Sequence, residues 1–316
     1  MPSVRIFASR NASRLFGFKS VITSRLHRSL VEADNALACQ SERHPDGWGV
    51  AYYVAGAPHI TRSKEAAHAD ALFRRVIGVL ASSTVLAHVR RATQGSISLL
   101  NTHPFQYGRW VFAHNGDVPS FPERRALLRA AIAPELAGYV LGETDSELIF
   151  YLLLSEISKT HSLLESPPLA VVFAAMQRTV AQVRALADAA GSTSLLTFLL
   201  TDGNLMAAHR GGKELYFSTY KRRCGERESC GHFTESCESE TAQGLVNHLV
   251  FSSEPLGGEN IWREVGEGEV LGVGPEMMFE RVSAQGERMS NISGPEWMRT
   301  GEGLIHMPVR TGSTRT

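Results

Sequence analysis

Long apolar runs are missing from this chain: stretches such as residues 148–154 and 195–200 are far shorter than the roughly 20 residues a bilayer-crossing helix requires. No membrane span is expected. An excess of either charge is also missing. Thirty-two Lys and Arg balance 32 Asp and Glu, so no net field attracts nucleic-acid phosphates, and small molecules or proteins are the partners to expect. Residues 1–12 carry Arg5 and Arg10 but no apolar stretch of secretory length, which makes a cytoplasmic location the expectation. Cysteine is scarce. Of four in 316 residues, Cys224, Cys230 and Cys237 share one polar stretch with His232 and lack the paired C-x-x-C spacing of zinc sites. Neither a disulfide framework, nor a metal site, nor any cofactor is expected, and reduced loop thiols fit better. Internal repeats and linkers are absent, and no G-x-S-x-G marks a serine hydrolase of the nucleophile-elbow type.

A hydrophobic fraction of 43% is enough to build a sizeable core. Leu26, Leu30, Ala33 and Leu37 recur at helical steps within 26–40, and further helical patterns cover 66–79, 144–158 and 169–190, the last entered through Pro167 and Pro168. Strands are expected at 47–54, 84–90 and 109–114. After Gly191 they follow at 195–201, 205–209, 215–219, 245–252 and 269–273, with a turn at 202–204. The polar segment 221–243 reads as a surface excursion between strands, and the last dozen residues, rich in Arg, Thr, Ser and Gly, as loose chain.

Five polar clusters sit at the ends of these elements, where binding groups are usually displayed. They are the stretches His44-Pro-Asp-Gly-Trp-Gly, His88-Val-Arg-Arg-Ala-Thr-Gln-Gly, Asn101-Thr-His-Pro-Phe, His114-Asn-Gly-Asp and Glu143-Thr-Asp-Ser-Glu. Each has an ordinary structural explanation. Asn115-Gly116 is a tight-turn signal. Thr144-x-x-Glu147 is a capping box whose first turn favours Asp145. Arg90 could be a solvated cation at a strand end, and His44, His103 and His114 are read as hydrogen-bonded structural histidines.

Taken together and in order, these motifs resemble the class II glutamine amidotransferases. The resemblance implies an α+β fold, a four-layer αββα sandwich of the N-terminal-nucleophile hydrolase type. It also implies that Arg90, in an H-x-R-x-A-T-x-G segment, grips the α-carboxylate of glutamine, a task suited to a planar charged fork. On the same grounds Asn115 and Gly116 form the oxyanion hole, and Asp145 takes the α-ammonium, its helix-terminal setting keeping it ionised. The stretch Arg14-Leu15-Phe16-Gly17-Phe18 resembles the one just after the family's first-residue cysteine, which puts Ser13 at the nucleophile position. The segments Val250-Phe-Ser-Ser-Glu254 and Asn260-Ile-Trp262 resemble the end of the domain in stand-alone members. The implied division is a 1–12 extension or propeptide, a 13–280 amidotransferase domain and a 281–316 tail.

One departure decides the mechanism. In this family the nucleophile is the first residue of the mature chain, and its α-amine, with a pKa near 8, is the general base. Here Ser13 carries a hydroxyl, and twelve residues precede it, so its nitrogen is an amide with no basic lone pair. Three alternatives remain open. The Ala12–Ser13 bond is cleaved and Ser13 becomes an active nucleophile; the protein is a pseudoenzyme holding a glutamine-like ligand or a partner; or another group such as Cys39 acts, although no catalytic motif surrounds it. The substrate class implied is glutamine or a γ-glutamyl small molecule, as in relatives of thiol metabolism. An ammonia-accepting partner protein or a homo-oligomer would complete the assembly.

Overall fold

A computed structural model describes residues 13–25, 30–31, 33 and 35–291. Among the described residues, thirteen strands form two wholly antiparallel sheets. The first has the order β11 (Arg263–Glu264), β9 (Tyr216–Ser218), β10 (His248–Ser252), β1 (Arg14–Arg25), β4 (Ala81–Val89), β2 (Trp48–Val54) and β3 (Ala57–Ser63). The second has the order β13 (Phe279–Val282), β12 (Val270–Val273), β8 (Met206–His209), β7 (Leu195–Thr201), β6 (Trp110–Asp117) and β5 (Phe105–Tyr107). The helices are α1 (Leu37–Gln40), α2 (Ala71–Val79), α3 (Phe121–Ala130), α4 (Pro134–Ala137), α5 (Asp145–Ser158) and α6 (Leu169–Ala187).

Three apolar clusters fill the three spaces between four layers. Leu15, Leu86, Ala113, Leu199 and Phe251 pack between the two sheets. Phe112, Phe150, Met176 and Phe198 join the six-stranded sheet to α5 and α6, while Phe16, Trp48, Phe73 and Val250 join the seven-stranded sheet to α2. Strand alternation explains this division, since neighbouring residues such as Leu15 and Phe16, or Ala113 and Phe112, face opposite sides. The result is the αββα sandwich.

Several expected elements fall where the pattern placed them, notably 195–201 and the start of α6 at Leu169. Helix α2 begins at Ala71 rather than at residue 66, because Asp70 caps it by accepting the Leu72 N–H at 2.8 Å. In the expected helix 26–40, the described residues hold only one α-helical turn, α1; Leu26 lies outside them. The Asn115-Gly116 turn is overturned. Strand β6 runs through both residues to Asp117, pairing Asn115 with Thr197 and Gly116 with Leu196. The longest strand, β1, has no counterpart among the strands expected from the pattern. Its first seven residues are buried on both faces, so the polar and apolar alternation that marks a half-solvated strand is lost. The capping box is half formed: Thr144 Oγ1 accepts the Glu147 N–H at 3.2 Å, but the Glu147 carboxylate reaches to Leu141 N and Gly142 N instead.

Burial of histidine gives the fold a pH sensitivity. The ring of His88 is fully buried, and burial, reinforced by the Arg90 charge, lowers its pKa to about 3 from 6.5. The unfolded chain binds a proton below 6.5 that the folded chain refuses, so this stability is complete above pH 6.5 and lost as pH falls toward 3. The limiting slope is about 1.4 kcal/mol per pH unit for each such histidine. Urea midpoints measured across that window should fall with acid, and His88→Gln should flatten the slope relative to wild type.

Candidate functional site

Strand β1 begins at Arg14, so Ser13 stands at its lip. The Ser13 hydroxyl accepts the Arg91 N–H at 2.9 Å and donates to the Arg91 carbonyl at 3.3 Å. Ser13, Arg90, Gly116 and Asp145 line one small cavity of about 20 Å3, together with Gln94, His103, His114, Thr144 and Ser146. Four of the five expected site residues therefore converge from β1, the end of β4, β6 and the start of α5. Asn115 is not on that lining. Alternation along β6 puts its side chain with Val111 and Ala113, toward the seven-stranded sheet, whereas His114 and Gly116 share the other face.

The five polar clusters interlock around Arg90, which is 3% exposed. Its guanidinium donates to the carbonyls of Ser96 at 3.1 Å and Gln94 at 2.8 Å, so the 94–96 loop holds the fork in place. Its backbone N–H donates to the Gly47 carbonyl at 2.8 Å, and Asp46 Oδ2 accepts the Ala92 N–H at 2.9 Å. Gly47 adopts φ of 120°, a conformation suited to glycine, and so completes that contact. Glu143 Oε2 accepts from Ser96 N at 3.1 Å and Asn101 Nδ2 at 3.2 Å, tying the helix entrance to the same loop. Burial lowers the pKa of Arg90, against the charges of Asp46 and Asp145, and the guanidinium stays cationic.

Asp145 is 2% exposed and fully engaged by backbone donors: Oδ2 accepts Val118 N at 2.9 Å and Oδ1 accepts Ser146 N at 2.8 Å. The expectation that its helix-terminal position keeps it ionised meets an opposing force. Burial raises its pKa, His114 and these N–H donors lower it, and Asp117 raises it. An arriving cation would offset the burial penalty. His114 sits behind this carboxylate, with Nδ1 2.9 Å from Ser146 Oγ and Nε2 2.9 Å from the Leu195 carbonyl. A carbonyl only accepts, so Nε2 carries the proton and the neutral ring accepts at Nδ1. The structural reading of His114 agrees with these bonds. For His44 and His103 the expectation of hydrogen bonds is overturned, since among the described residues neither ring nitrogen of either has a partner. His103 instead packs its ring against His88 at 4.2 Å and Phe105 at 4.6 Å. Burial, with Arg14, Arg43 and Arg91 adding to it, lowers the pKa of His44 to about 3. Both rings are neutral.

Ser146, Gln94 and the His103 ring were missed as lining residues. Ser146 and Gln94 lie inside the quoted clusters, but only the fold reveals which members face the cavity. Gln94 Nε2 donates to Asp117 Oδ1 at 2.9 Å and bridges the Arg90 loop to the end of β6. At Gly116 the requirement for glycine is steric. An added Cβ would lie 1.8 Å from the Leu195 carbonyl oxygen and 2.3 Å from His114 Nε2. Gly116→Ala should therefore cost about 1–3 kcal/mol through forced displacement, read as a lowered thermal midpoint.

Among the described residues no cluster of His, Cys, Asp and Glu could hold a metal ion, and no helix is long and apolar enough to cross a membrane. All four cysteines are free thiols, although Cys237 is buried rather than lying loose on the surface. A larger cavity, about 520 Å3, lies elsewhere and shares no lining residue with the Ser13 cavity.

Two packed antiparallel sheets between helical layers, with a serine at the lip of a central strand facing a buried Arg–Asp pair, define the N-terminal-nucleophile hydrolase class. The sequence matches the family described as "Glutamine amidotransferases class-II" over residues 34–288. The chain belongs to that family. The match starts after Ser13 and so does not cover that position. YafJ of Escherichia coli, provisionally described as a glutamine amidotransferase, is 28% identical over 232 residues, covering 72% of this chain and 84% of that one. A γ-glutamyl-hercynylcysteine sulfoxide hydrolase of Mycobacterium tuberculosis is 41% identical over 91 residues, 28% of this chain and 37% of that one. The solved structure of a class-II glutamine aminotransferase domain protein from Silicibacter pomeroyi superimposes with a TM-score of 0.57 at 25% identity, covering 85% of this chain and 98% of that one. The matched stretches span from 34% to 84% of the length of the first curated relatives.

Proposed function

We propose that this protein is a stand-alone amidohydrolase that cleaves the side-chain amide of glutamine or a γ-glutamyl compound, with Ser13 as nucleophile once residues 1–12 are removed. The observation that carries it is the convergence of Ser13, Arg90, Gly116 and Asp145 on one cavity. In this reading Arg90 binds the α-carboxylate and Asp145 the α-ammonium, which places the γ-carbonyl near Ser13. The freed α-amine of residue 13 takes the hydroxyl proton as Oγ bonds to the carbonyl carbon. In this reading the oxyanion accepts from the Gly116 N–H, and from the Asn115 amide once that side chain, which lies off the cavity lining, turns toward it; such donors each contribute about 3 kcal/mol. Collapse breaks the C–N bond, the α-ammonium returns its proton to the leaving nitrogen, and ammonia or an amine departs. Water activated by the same amine then hydrolyses the ester and frees glutamate. The assembly proposed is a processed 13–280 domain, with any ammonia-using acceptor supplied by a partner protein.

At about 20 Å3 the cavity has room for about one water molecule, so substrate binding must open it. The 94–96 loop is the element to move, because its carbonyls occupy the Arg90 fork. A second reading, a pseudoenzyme that keeps the pocket for binding, is favoured by the peptide bond between Ala12 and Ser13. The two readings separate on a protein whose chain begins at Ser13. Release of ammonia from glutamine, or of the amine from a γ-glutamyl anilide, supports hydrolysis; saturable binding of both with no product supports the pseudoenzyme.

A further inference from the structure

We propose that a cavity on the outer face of the seven-stranded sheet is a binding site for a small amphipathic organic anion. It is independent of the glutamine-like pocket. Its floor is Phe16, Phe18 and Val250, which alternation turns away from the six-stranded sheet, and its walls come from the 221–237 excursion and the 257–260 turn. A volume of about 520 Å3 lies within the range of about 300–1,000 Å3 typical of ligand sites, and an apolar floor with a few convergent polar groups is their usual make-up.

Charge selects the ligand. Arg25, Lys221 and Arg223 line the cavity against the carboxylates of Glu226 and Glu259, leaving one net positive charge. Among the described residues no carboxylate forms an ion pair with any of the three cations. The second observation is His248, 8% exposed, which lines the cavity and whose Nε2 has no hydrogen-bond partner. Burial and the nearby Lys221 charge hold this ring neutral, with its pKa lowered to about 3, against a side-chain hydrogen bond with Asn260 that raises it. An anionic group seated between Lys221 and His248 supplies a counter-charge to the first and a partner to the second. Its apolar body would then cover Phe18 and Val250. A neutral ligand offers no such compensation, and a cationic one would be repelled.

The wall supplies its own reporters, since Cys224 and Cys230 are partly accessible free thiols on the lining while Cys39 is an exposed thiol outside it. The probe is anilinonaphthalene sulfonate, an aromatic body with one anionic group, titrated into the full-length chain. Saturable one-to-one binding is expected, slowing iodoacetamide alkylation of Cys224 and Cys230 at least about fivefold and leaving Cys39 unchanged. Lys221→Glu should weaken binding at least about tenfold. Ser24→Trp, which fills the cavity from the half-buried end of β1, should abolish the protection without touching Lys221. The neutral analogue phenylnaphthylamine should bind at least about tenfold more weakly, and glutamine should not compete. Equal binding of the neutral analogue, unchanged affinity in Lys221→Glu, or fluorescence without protection of the two wall thiols overturns the assignment and marks the probe as adventitious.

Discussion

A chain trimmed to begin at position 13 and carrying Ser13→Cys is expected to release ammonia from glutamine, whereas the full-length chain with the same substitution is expected to release none. The reasoning rests on two atoms. A thiol is far more acidic than a hydroxyl and reacts as thiolate, so cysteine depends less on its base. The base itself exists only when residue 13 has a free amine, because an amide nitrogen cannot take the proton. General-base loss of this kind typically costs about 10²–10⁴-fold, which sets the gap expected between trimmed and untrimmed chains. The trimmed wild-type serine protein should fall between them. Trimming also removes whatever residues 1–12 contribute, so folding is checked by the thermal midpoint of each chain. Activity in the untrimmed Ser13→Cys chain equal to that of the trimmed one would show that the α-amine is not the base.

Arg90→Ala and Asp145→Ala should each weaken binding of a glutamine analogue such as glutamate γ-hydroxamate by about 100-fold. Each removes one partner of a charge-assisted contact and leaves the ligand's opposite charge buried and uncompensated, a loss of about 3 kcal/mol. Arg90→Lys is the sharper test. It keeps the charge but loses the fork, so it should recover only part of the affinity. Arg90 also anchors the 94–96 loop, and a fall in thermal stability is expected alongside. In Asp145→Asn the backbone donors from Val118 and Ser146 keep their acceptor at only one oxygen. If calorimetry shows both alanine variants binding like wild type, the ligand does not sit between Arg90 and Asp145.

Much of the sandwich was readable because its elements follow simple periods. Strand β7 and helix α6 are long, apolar and punctuated by Pro168 and Gly191, and both start where the pattern says. Strand β1 escaped for a physical reason. Its first seven residues are buried on both faces and include Lys19 and Ser20, where Lys19 donates to the Gly203 carbonyl at 3.1 Å. Gly17 lies there too, and an added Cβ would come within 3.0 Å of Leu199 Cδ1, so it serves close sheet packing rather than a turn. Asn115-Gly116 misled in the same way: local turn preference yielded to pairing with β7.

The motifs were legible in sequence as an ordered set, and Ser13, Arg90, Gly116 and Asp145 from it share one cavity in the fold. What sequence could not supply was which members of each motif face inward. Asp46, Glu143 and Gln94 act by tying loops to one another across 23 to 47 residues of chain, contacts that no local pattern encodes. The large cavity is a further case, because its cationic wall and its apolar floor come from segments roughly two hundred residues apart, β1 and the 221–237 excursion.

The most direct test is the intact mass of the protein purified from its own source, taken together with glutaminase and γ-glutamyl hydrolase assays on the same sample. The expected result is a chain beginning at Ser13 that turns over one of these substrates. Turnover by a chain that still carries residues 1–12 would contradict the assignment of Ser13 as an N-terminal nucleophile, and a chain beginning at Ser13 that binds glutamine without turnover would contradict hydrolysis itself.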